Sequence, residues 1–279
     1  MESLTQTRVD IPNVLTIAGV DPSGGAGVLA DIKAMSACGA FACGVVTALT
    51  AQNTQAVTGV LPIDLGFVRA QIDTLFADVR IDAVKIGMLG TSELIETVAE
   101  RLRHYRPRWI VLDPVMVAKS GDRLLAQDAQ QTMIDQLLPL ASVLTPNLPE
   151  ALALLGRPGE RIEPEAWHES AQALRAKMSS ESGWVLLKGG HLESDVVPDL
   201  LVGPHGAELS LSSPRISTKN THGTGCTLSS AIAAFLPQTP SVPEAAKRAK
   251  HYITGAIEHA DRLSVGHGHG PTHHFWQTL

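Results

Sequence analysis

From residue 14 onward, short apolar runs alternate with longer amphipathic segments, and no other feature limits the fold so strongly. The runs lie at 14–20, 45–50, 83–88, 109–115, 142–145 and 184–188. Helical spacing marks the stretches between them, at 28–38, 65–79, 92–105, 126–138, 165–178, 226–235 and 242–263. Strands apolar on both faces and separated by helices predict an α/β fold: a mainly parallel central sheet with helices on each side. Residues 199–202 and 207–211 flank Gly203-Pro204-His205-Gly206, which reads as an antiparallel hairpin near the sheet edge. No internal repeat, low-complexity tract or long Pro/Gly/Ser linker divides the chain. The expectation is one domain over 1–279, with an N-terminal extension at 1–12 and a histidine-containing tail at 264–279. Ligands in such sheets sit outside the C-terminal ends of the strands. Candidate site residues are therefore Asp21, Gln52, 88–89, Asp113, 147–150 and Lys188.

The stretch Lys219-Asn220-Thr221-His222-Gly223-Thr224-Gly225-Cys226 runs into an Ala-rich apolar helix. Free backbone N–H groups and the positive end of the helix dipole then converge on one spot, a cradle for an anion such as phosphate. The alternative is an ordinary capped helix start, with Thr221 or Thr224 as N-cap. No Gly-Lys-Ser/Thr occurs, so this is not a Walker A loop. A second cluster, Asp21-Pro22-Ser23-Gly24-Gly25-Ala26-Gly27, precedes a helix at about residue 28. A dinucleotide fingerprint there would need an acid some 20 residues on. None occurs between Asp31 and Asp64, so a loop carrying substrate contacts fits better.

Two carboxylates, Asp113 and Glu150, end adjacent strands opposite that anion loop. They suit a Mg²⁺ held partly through water and partly through substrate phosphates; alternatively, they are a turn residue and a first-turn helix acid. Lys188, followed by Gly189-Gly190-His191, is placed to reach a transferring phosphoryl group, with a solvated terminal lysine as the alternative. His191, a loop histidine beside glycines, reads as structural rather than as a ligand. Cys226 falls in the first helical turn, where the helix N-terminus favours thiolate. The usual fate of a free cysteine, though, is as a small buried apolar residue. The histidines of the tail lie among glycines and lack an enforced metal geometry.

Composition narrows the function classes. With 44% hydrophobic and 18% charged residues the chain supports a sizeable core. A net charge of −6 offers no basic surface for nucleic acid. The N-terminus has neither a basic n-region nor an apolar h-region, and no stretch of about 18 apolar residues occurs. Three cysteines without a CxxC pair suit a reducing compartment. A soluble cytoplasmic protein is expected, with partners that are neither nucleic acid nor membrane.

From about residue 14 to Phe275 the chain resembles the bifunctional hydroxymethylpyrimidine/phosphomethylpyrimidine kinases of thiamine biosynthesis. The resemblance is carried by Ala18-Gly19-Val20-Asp21-Pro22-Ser23-Gly24-Gly25-Ala26-Gly27, Ala51-Gln52-Asn53-Thr54, Lys85-Ile86-Gly87-Met88-Leu89 and Leu112-Asp113-Pro114-Val115-Met116. Further matches are Thr145-Pro146-Asn147-Leu148-Pro149-Glu150, Lys188-Gly189-Gly190-His191, Thr221-His222-Gly223-Thr224-Gly225-Cys226 and the closing Gly266-His267-Gly268-x-Gly270-Pro271-x-His273-His274-Phe275. The resemblance implies a ribokinase-like αβα fold with a reduced lid, a homodimer, and the use of ATP and Mg²⁺. It implies an anion hole at Gly223 and Gly225, nucleotide contacts from Lys188, Asn220, Thr221 and Thr224, and metal positioning by Asp113 and Glu150. Gly19, Asp31, Gln52 and Met88 match positions lining the pyrimidine. Cys226 stands where wider ribokinase relatives carry a catalytic aspartate, and cysteine there is familiar in the pyrimidine kinases. A terminal amide such as Gln52 can accept from an exocyclic amine while donating to the adjacent ring nitrogen, and Met88 offers an adaptable wall for a flat ring. The nearest rival is a pyridoxal or pyridoxine kinase of the same fold. A non-catalytic sensor of the pyrimidine phosphate is the rival of another class.

Overall fold

Side chains alternate across a strand, so a strand buried on both faces feeds two cores. The computed structural model describes residues 10–117, 125–126, 128–179, 181–190, 192 and 194–278. Its elements run β1 (Asn13–Val20), α1 (Gly27–Ala37), β2 (Phe41–Gln52), β3 (Val57–Pro62), α2 (Leu65–Asp78), β4 (Ala83–Ile86), α3 (Ser92–Tyr105), β5 (Ile110–Leu112) and α4 (Ala129–Gln136). They continue with β6 (Val143–Leu144), α5 (Leu148–Leu154), α6 (Trp167–Arg175), β7 (Trp184–Lys188), β8 (Val196–Val202), β9 (Glu208–Pro214), α7 (Thr224–Phe235) and α8 (Val242–Glu258). Along β5, Ile110 and Leu112 enter one core while Val111 enters the other, and Leu186 of β7 opposes Val185 and Leu187 in the same way. The first core lies against α2 to α6 and the second against α1, α7 and α8, giving three αβα layers.

All nine strands form one sheet in the order β3-β2-β1-β4-β5-β6-β7-β8-β9. The run from β2 to β7 is parallel, and β3, β8 and β9 are antiparallel additions. From β1 the chain passes to β2 on one side, and β4 is laid down on the other. The crevice between β1 and β4 is thus the topological switch point where such sheets bind ligands.

The expected α/β architecture and the β8–β9 hairpin are present. Strand β3 was not expected from the sequence. It pairs antiparallel with β2, Leu49 opposite Leu61, and its outward side chains give no buried-strand signal. Helix α5, only seven residues long, lies outside the expected helical stretches, though the alternative reading of Glu150 as a first-turn helix acid agrees with it. A capping box begins it: the Asn147 side chain accepts from Glu150 N, and the Glu150 carboxylate accepts from Asn147 N. Helix α7 starts two residues earlier than expected, and its N-cap is Gly223 rather than either threonine. Residues 1–9 of the expected N-terminal extension, together with His191, lie outside the described residues.

Helix α7 sits between α1 and α8 against the sheet, and small residues, Ser229, Ser230, Ala231, Ala233 and Ala234, make up most of its buried face beside Thr227, Leu228 and Ile232. Small residues let its axis approach the strands, and that approach sets where its N-terminus points. Ala231→Leu is expected to overpack this contact and destabilise the protein by about 1–3 kcal/mol. Urea denaturation checks this, and an unchanged midpoint would mean that α7 has room to move.

Candidate active site

Strands β1, β2, β4, β5, β6 and β7 end at one cavity of about 1060 Å³. On one side the 21–27 loop packs directly on the loop before α7. The Asp21 carboxylate binds His222 Nε2 at 2.7 Å and accepts from the N–H groups of Ser23 and Ala26. Gly223 has φ 75, and a Cβ there would overlap the carbonyl of Gly25, so only glycine serves at this contact. In the first turn that follows, the N–H groups of Gly225 and Cys226 precede any possible intrahelical partner. Gly223, Thr224, Gly225 and Cys226 line the cavity, as does Thr221.

Opposite this loop stand Lys188, Asp113 and Glu150. Lys188 Nζ donates to Asp113 Oδ1 at 3.2 Å. A Cβ on Gly225 would lie 3.4 Å from Lys188 Nζ and 3.8 Å from Asp113 Oδ2, so the α7 N-terminus and the charged pair face the same space. Asp113 also accepts from Thr145 Oγ1 and Ser229 Oγ. Burial works against its ionisation, but Lys188 and then Lys85 hold its carboxyl below the usual range. For Glu150, burial prevails over Lys188, and the neighbouring Asp113 adds to it, pushing the carboxyl up to about 7. The region is short of positive charge. Two cavity-lining carboxylates facing an anion loop fit a Mg²⁺ that keeps waters and borrows phosphate oxygens.

Gln52 lies at the end of β2 and reaches the cavity, its Oε1 accepting from Thr50 Oγ1 at 3.2 Å. Met88 lies over Gly19, where a Cβ would come within 2.6 Å of its Cε. The glycine makes a flat wall between them.

Three expectations are corrected. Asp31 does not line the cavity. It is fully buried beneath it, and its carboxylate is taken by Lys85 Nζ at 2.8 Å, Thr16 Oγ1 at 2.6 Å and Ser230 Oγ at 2.8 Å. Asn220 also stays off the cavity. Its amide donates to Asp261 Oδ1 at 2.8 Å, fastening the loop to the turn after α8. Cys226 lines the cavity but is not held as thiolate, since burial raises its thiol to about 11 despite the opposing charge of Lys85. Desolvation outweighs both Lys85 and the hydrogen bond from Gly27 N.

Lys85 itself was missed. It is wholly buried yet touches the cavity, and Asp31 keeps it charged against the cost of burial. A lysine inside an otherwise apolar strand run was the available signal, because it needs a buried acid. Lys250 was missed too; its Nζ donates to Asp199 Oδ2 at 2.7 Å, and Asp199 Oδ1 accepts from Gly189 N, steadying the residue after Lys188.

The phosphomethylpyrimidine kinase family model matches residues 21–273. The chain is 51% identical over 263 residues to the hydroxymethylpyrimidine/phosphomethylpyrimidine kinase of Escherichia coli K12, covering 94% of this chain and 97% of that one. It is 46% identical to the thiamine biosynthesis bifunctional protein ThiED of Geobacter sulfurreducens, over 94% of this chain and 52% of that longer protein. Among solved structures, the ADP complex of Bacillus subtilis pyridoxal kinase superposes with a TM-score of 0.86 at 35% identity, over 96% of this chain and 99% of that one.

Replacing Lys85 by Met leaves the Asp31 carboxylate buried without its cation, and the expected loss is about 3–5 kcal/mol. Adding Asp31→Asn should recover part of that loss. Chemical denaturation of both variants measures it; a Lys85→Met protein as stable as wild type would remove the pair from any structural role.

Proposed function

The chain belongs to the phosphomethylpyrimidine kinase family, and from that premise we propose the course of its reaction. It phosphorylates 4-amino-5-hydroxymethyl-2-methylpyrimidine to the monophosphate and then to the diphosphate, steps of thiamine diphosphate biosynthesis. The observation that carries the reading is the convergence of Lys188, Asp113, Glu150 and the α7 N-terminus on one cavity whose far wall holds Gln52 and Met88.

The phosphate donor is ATP, its γ-phosphoryl group lying between Lys188 and the N–H groups of Gly223 to Cys226. Thr221 and Thr224 lie along the same loop, beside the nucleotide phosphates. Asp113 and Glu150 would hold Mg²⁺, partly through water; when bound it neutralises the charge that builds on the phosphate oxygens. Phosphoryl transfer asks for positioning and charge stabilisation more than covalent chemistry, and these side chains supply both. Gln52 pairs with the exocyclic amine and adjacent ring nitrogen of the pyrimidine, whose face lies on Met88 and Gly19. In the first transfer the hydroxymethyl oxygen bonds to the γ-phosphorus, the bond to the ADP oxygen breaks and the hydroxyl proton leaves. In the second, a phosphate oxygen attacks and no hydroxyl proton is lost.

The protein acts as a single-domain cytoplasmic homodimer in this reading. Support comes from the apolar side chains on one edge, where Leu61 and Phe67 are 63% and 62% exposed. No described helix is long and apolar enough to cross a membrane.

Product analysis with the alcohol, its monophosphate and pyridoxal side by side tests the whole reading. Diphosphate should accumulate from either pyrimidine, with pyridoxal a poorer substrate. Monophosphate alone after exhaustive incubation with ATP would refute the second step, and a preference for pyridoxal would favour the vitamin B6 alternative.

Cys226 faces the acceptor from the first turn of α7. Its resting form is the thiol, so the base that takes the hydroxyl proton is the minor, strongly basic thiolate. Cys226→Ala is expected to lower kcat of the first transfer by about 10²–10⁴-fold, the usual scale of general-base assistance. The second transfer should suffer much less. Equal losses in both steps would make Cys226 a packing residue.

A further inference from the structure

The segment Gly266-His267-Gly268-His269-Gly270-Pro271 takes no part in the chemistry above, and the described residues contain no group of three or more potential metal ligands. Its backbone nevertheless bonds, within three residues, both the turn that follows the cavity-lining Gln52 and the cavity-lining His222. Gly268 N donates to Thr54 Oγ1 at 3.1 Å, and His269 N donates to the Thr54 carbonyl at 3.0 Å. One residue on, the Gly270 carbonyl accepts from His222 N at 3.0 Å, and Pro271 continues beside His222 as a short parallel bridge. Thr54 follows Gln52 by two residues in the turn between β2 and β3. His222 immediately precedes the anion loop.

The contacts are too close for side chains. A Cβ at Gly266 would overlap Thr54 Oγ1 and lie 2.8 Å from its Cγ2. At Gly268 it would overlap the Thr54 carbonyl, and at Gly270 the Asn220 amide oxygen. Downstream the segment is fixed to the body of the fold. Thr227 of α7 bonds His274 Nε2 at 3.1 Å, Tyr252 of α8 donates to the His274 carbonyl, and Trp276 Nε1 donates back to the Tyr252 carbonyl. A tether anchored on the anion helix thus holds the turn between β2 and β3.

We infer that residues 266–271 are a positioning strap that sets the distance between the pyrimidine-reading turn and the anion loop. The inference rests on the proposed reaction, with the pyrimidine held beside the turn between β2 and β3. Transfer requires the hydroxymethyl oxygen to be near the γ-phosphorus, and the two substrates are held by different rims. The strap links the two directly, beside the contact of Asp21 with His222. The strap residues touch neither substrate and act through Thr54 and His222.

Gly266→Ala drives a methyl into the Thr54 side chain. A displacement of about 1 Å at the turn is expected to lower kcat/KM for the pyrimidine by up to about 10²-fold while KM for ATP is unchanged. Thr54→Ala in the same chain removes Oγ1 and Cγ2 and should restore part of the loss; the rest reflects the positive φ of residue 266 and the acceptor that Gly268 N loses. If Gly266→Ala does not fold, Thr54→Val serves, since it deprives Gly268 N of its acceptor at constant size; a raised KM for the pyrimidine alone is expected. A folded Gly266→Ala enzyme with wild-type pyrimidine kinetics overturns the strap, as do equal losses for both substrates or a deficit that Thr54→Ala does not reduce. Gln52→Leu is measured alongside. If it leaves pyrimidine KM unaltered while Gly266→Ala raises it, the Gln52 assignment fails and the strap stands. If Gln52→Leu raises KM and Gly266→Ala does not, the strap fails alone.

Discussion

The buried pair of Lys85 and Asp31 is the constraint on which the site depends. It gathers four elements at one point: Thr16 from β1, Asp31 from α1, Lys85 from β4 and Ser230 from α7. Two charges withdrawn from water are costly unless the geometry is good and the remaining polar atoms are bonded. Here both carboxylate oxygens are bonded more than once. A shifted register of β1 on β4, or a rotated α7, would strand one of the charges. The pair therefore penalises wrong arrangements more than it rewards the right one. Because Ser230 lies one turn beyond Cys226, the same restraint fixes the direction of the N–H groups that open α7.

Above that pair the cavity carries a second charge cluster of the opposite balance. Lys188 is shared between Asp113 and Glu150, whose fields outweigh burial and keep it protonated. One ammonium cannot satisfy two carboxylates, and Glu150 is the one left with a raised pKa. Phosphates add negative charge to this space, so the protein alone is not electrostatically complete for phosphoryl transfer. The glycines around it serve proximity: backbone dipoles approach the anion where side chains would intervene.

Much of this was legible in the sequence, and what was hidden has common causes. Strand ends bearing Gln52, Asp113 and Lys188 could be read because a polar residue closing an apolar run marks where the strand leaves the core for water or a ligand. The loop from Thr221 to Cys226 announced itself through small residues before a helix. Strand β3 was hidden because it is an edge strand exposed on most of its length, without the alternation that marks a buried face. Asp31 and Asn220 were misplaced for another reason: a sequence shows which groups are polar, not which partner will take them. Asp31 is consumed by Lys85, 54 residues away, and Asn220 by Asp261, 41 residues away. The thiol of Cys226 failed in the same way. Its position at a helix end was visible, but the desolvation that raises its pKa depends on elements distant in sequence.

In the proposed reaction, selectivity has to come from few contacts. The phosphoryl-transfer half reads only charge and distance, and any hydroxymethyl group brought to the α7 N-terminus would satisfy it. The wall made by Met88 over Gly19 accepts flat rings generally, since a thioether adapts its shape at little cost. What remains is the amide of Gln52. Facing an aminopyrimidine, it can give a hydrogen to the ring nitrogen and take one from the amine. A ring without that adjacent donor and acceptor leaves one end of the amide unpaired, at a cost of about 1–3 kcal/mol. Discrimination by an unsatisfied polar group is stronger than discrimination by apolar shape. It works only if the amide cannot swing away, which is why the turn that follows Gln52 must be held as firmly as the residue itself.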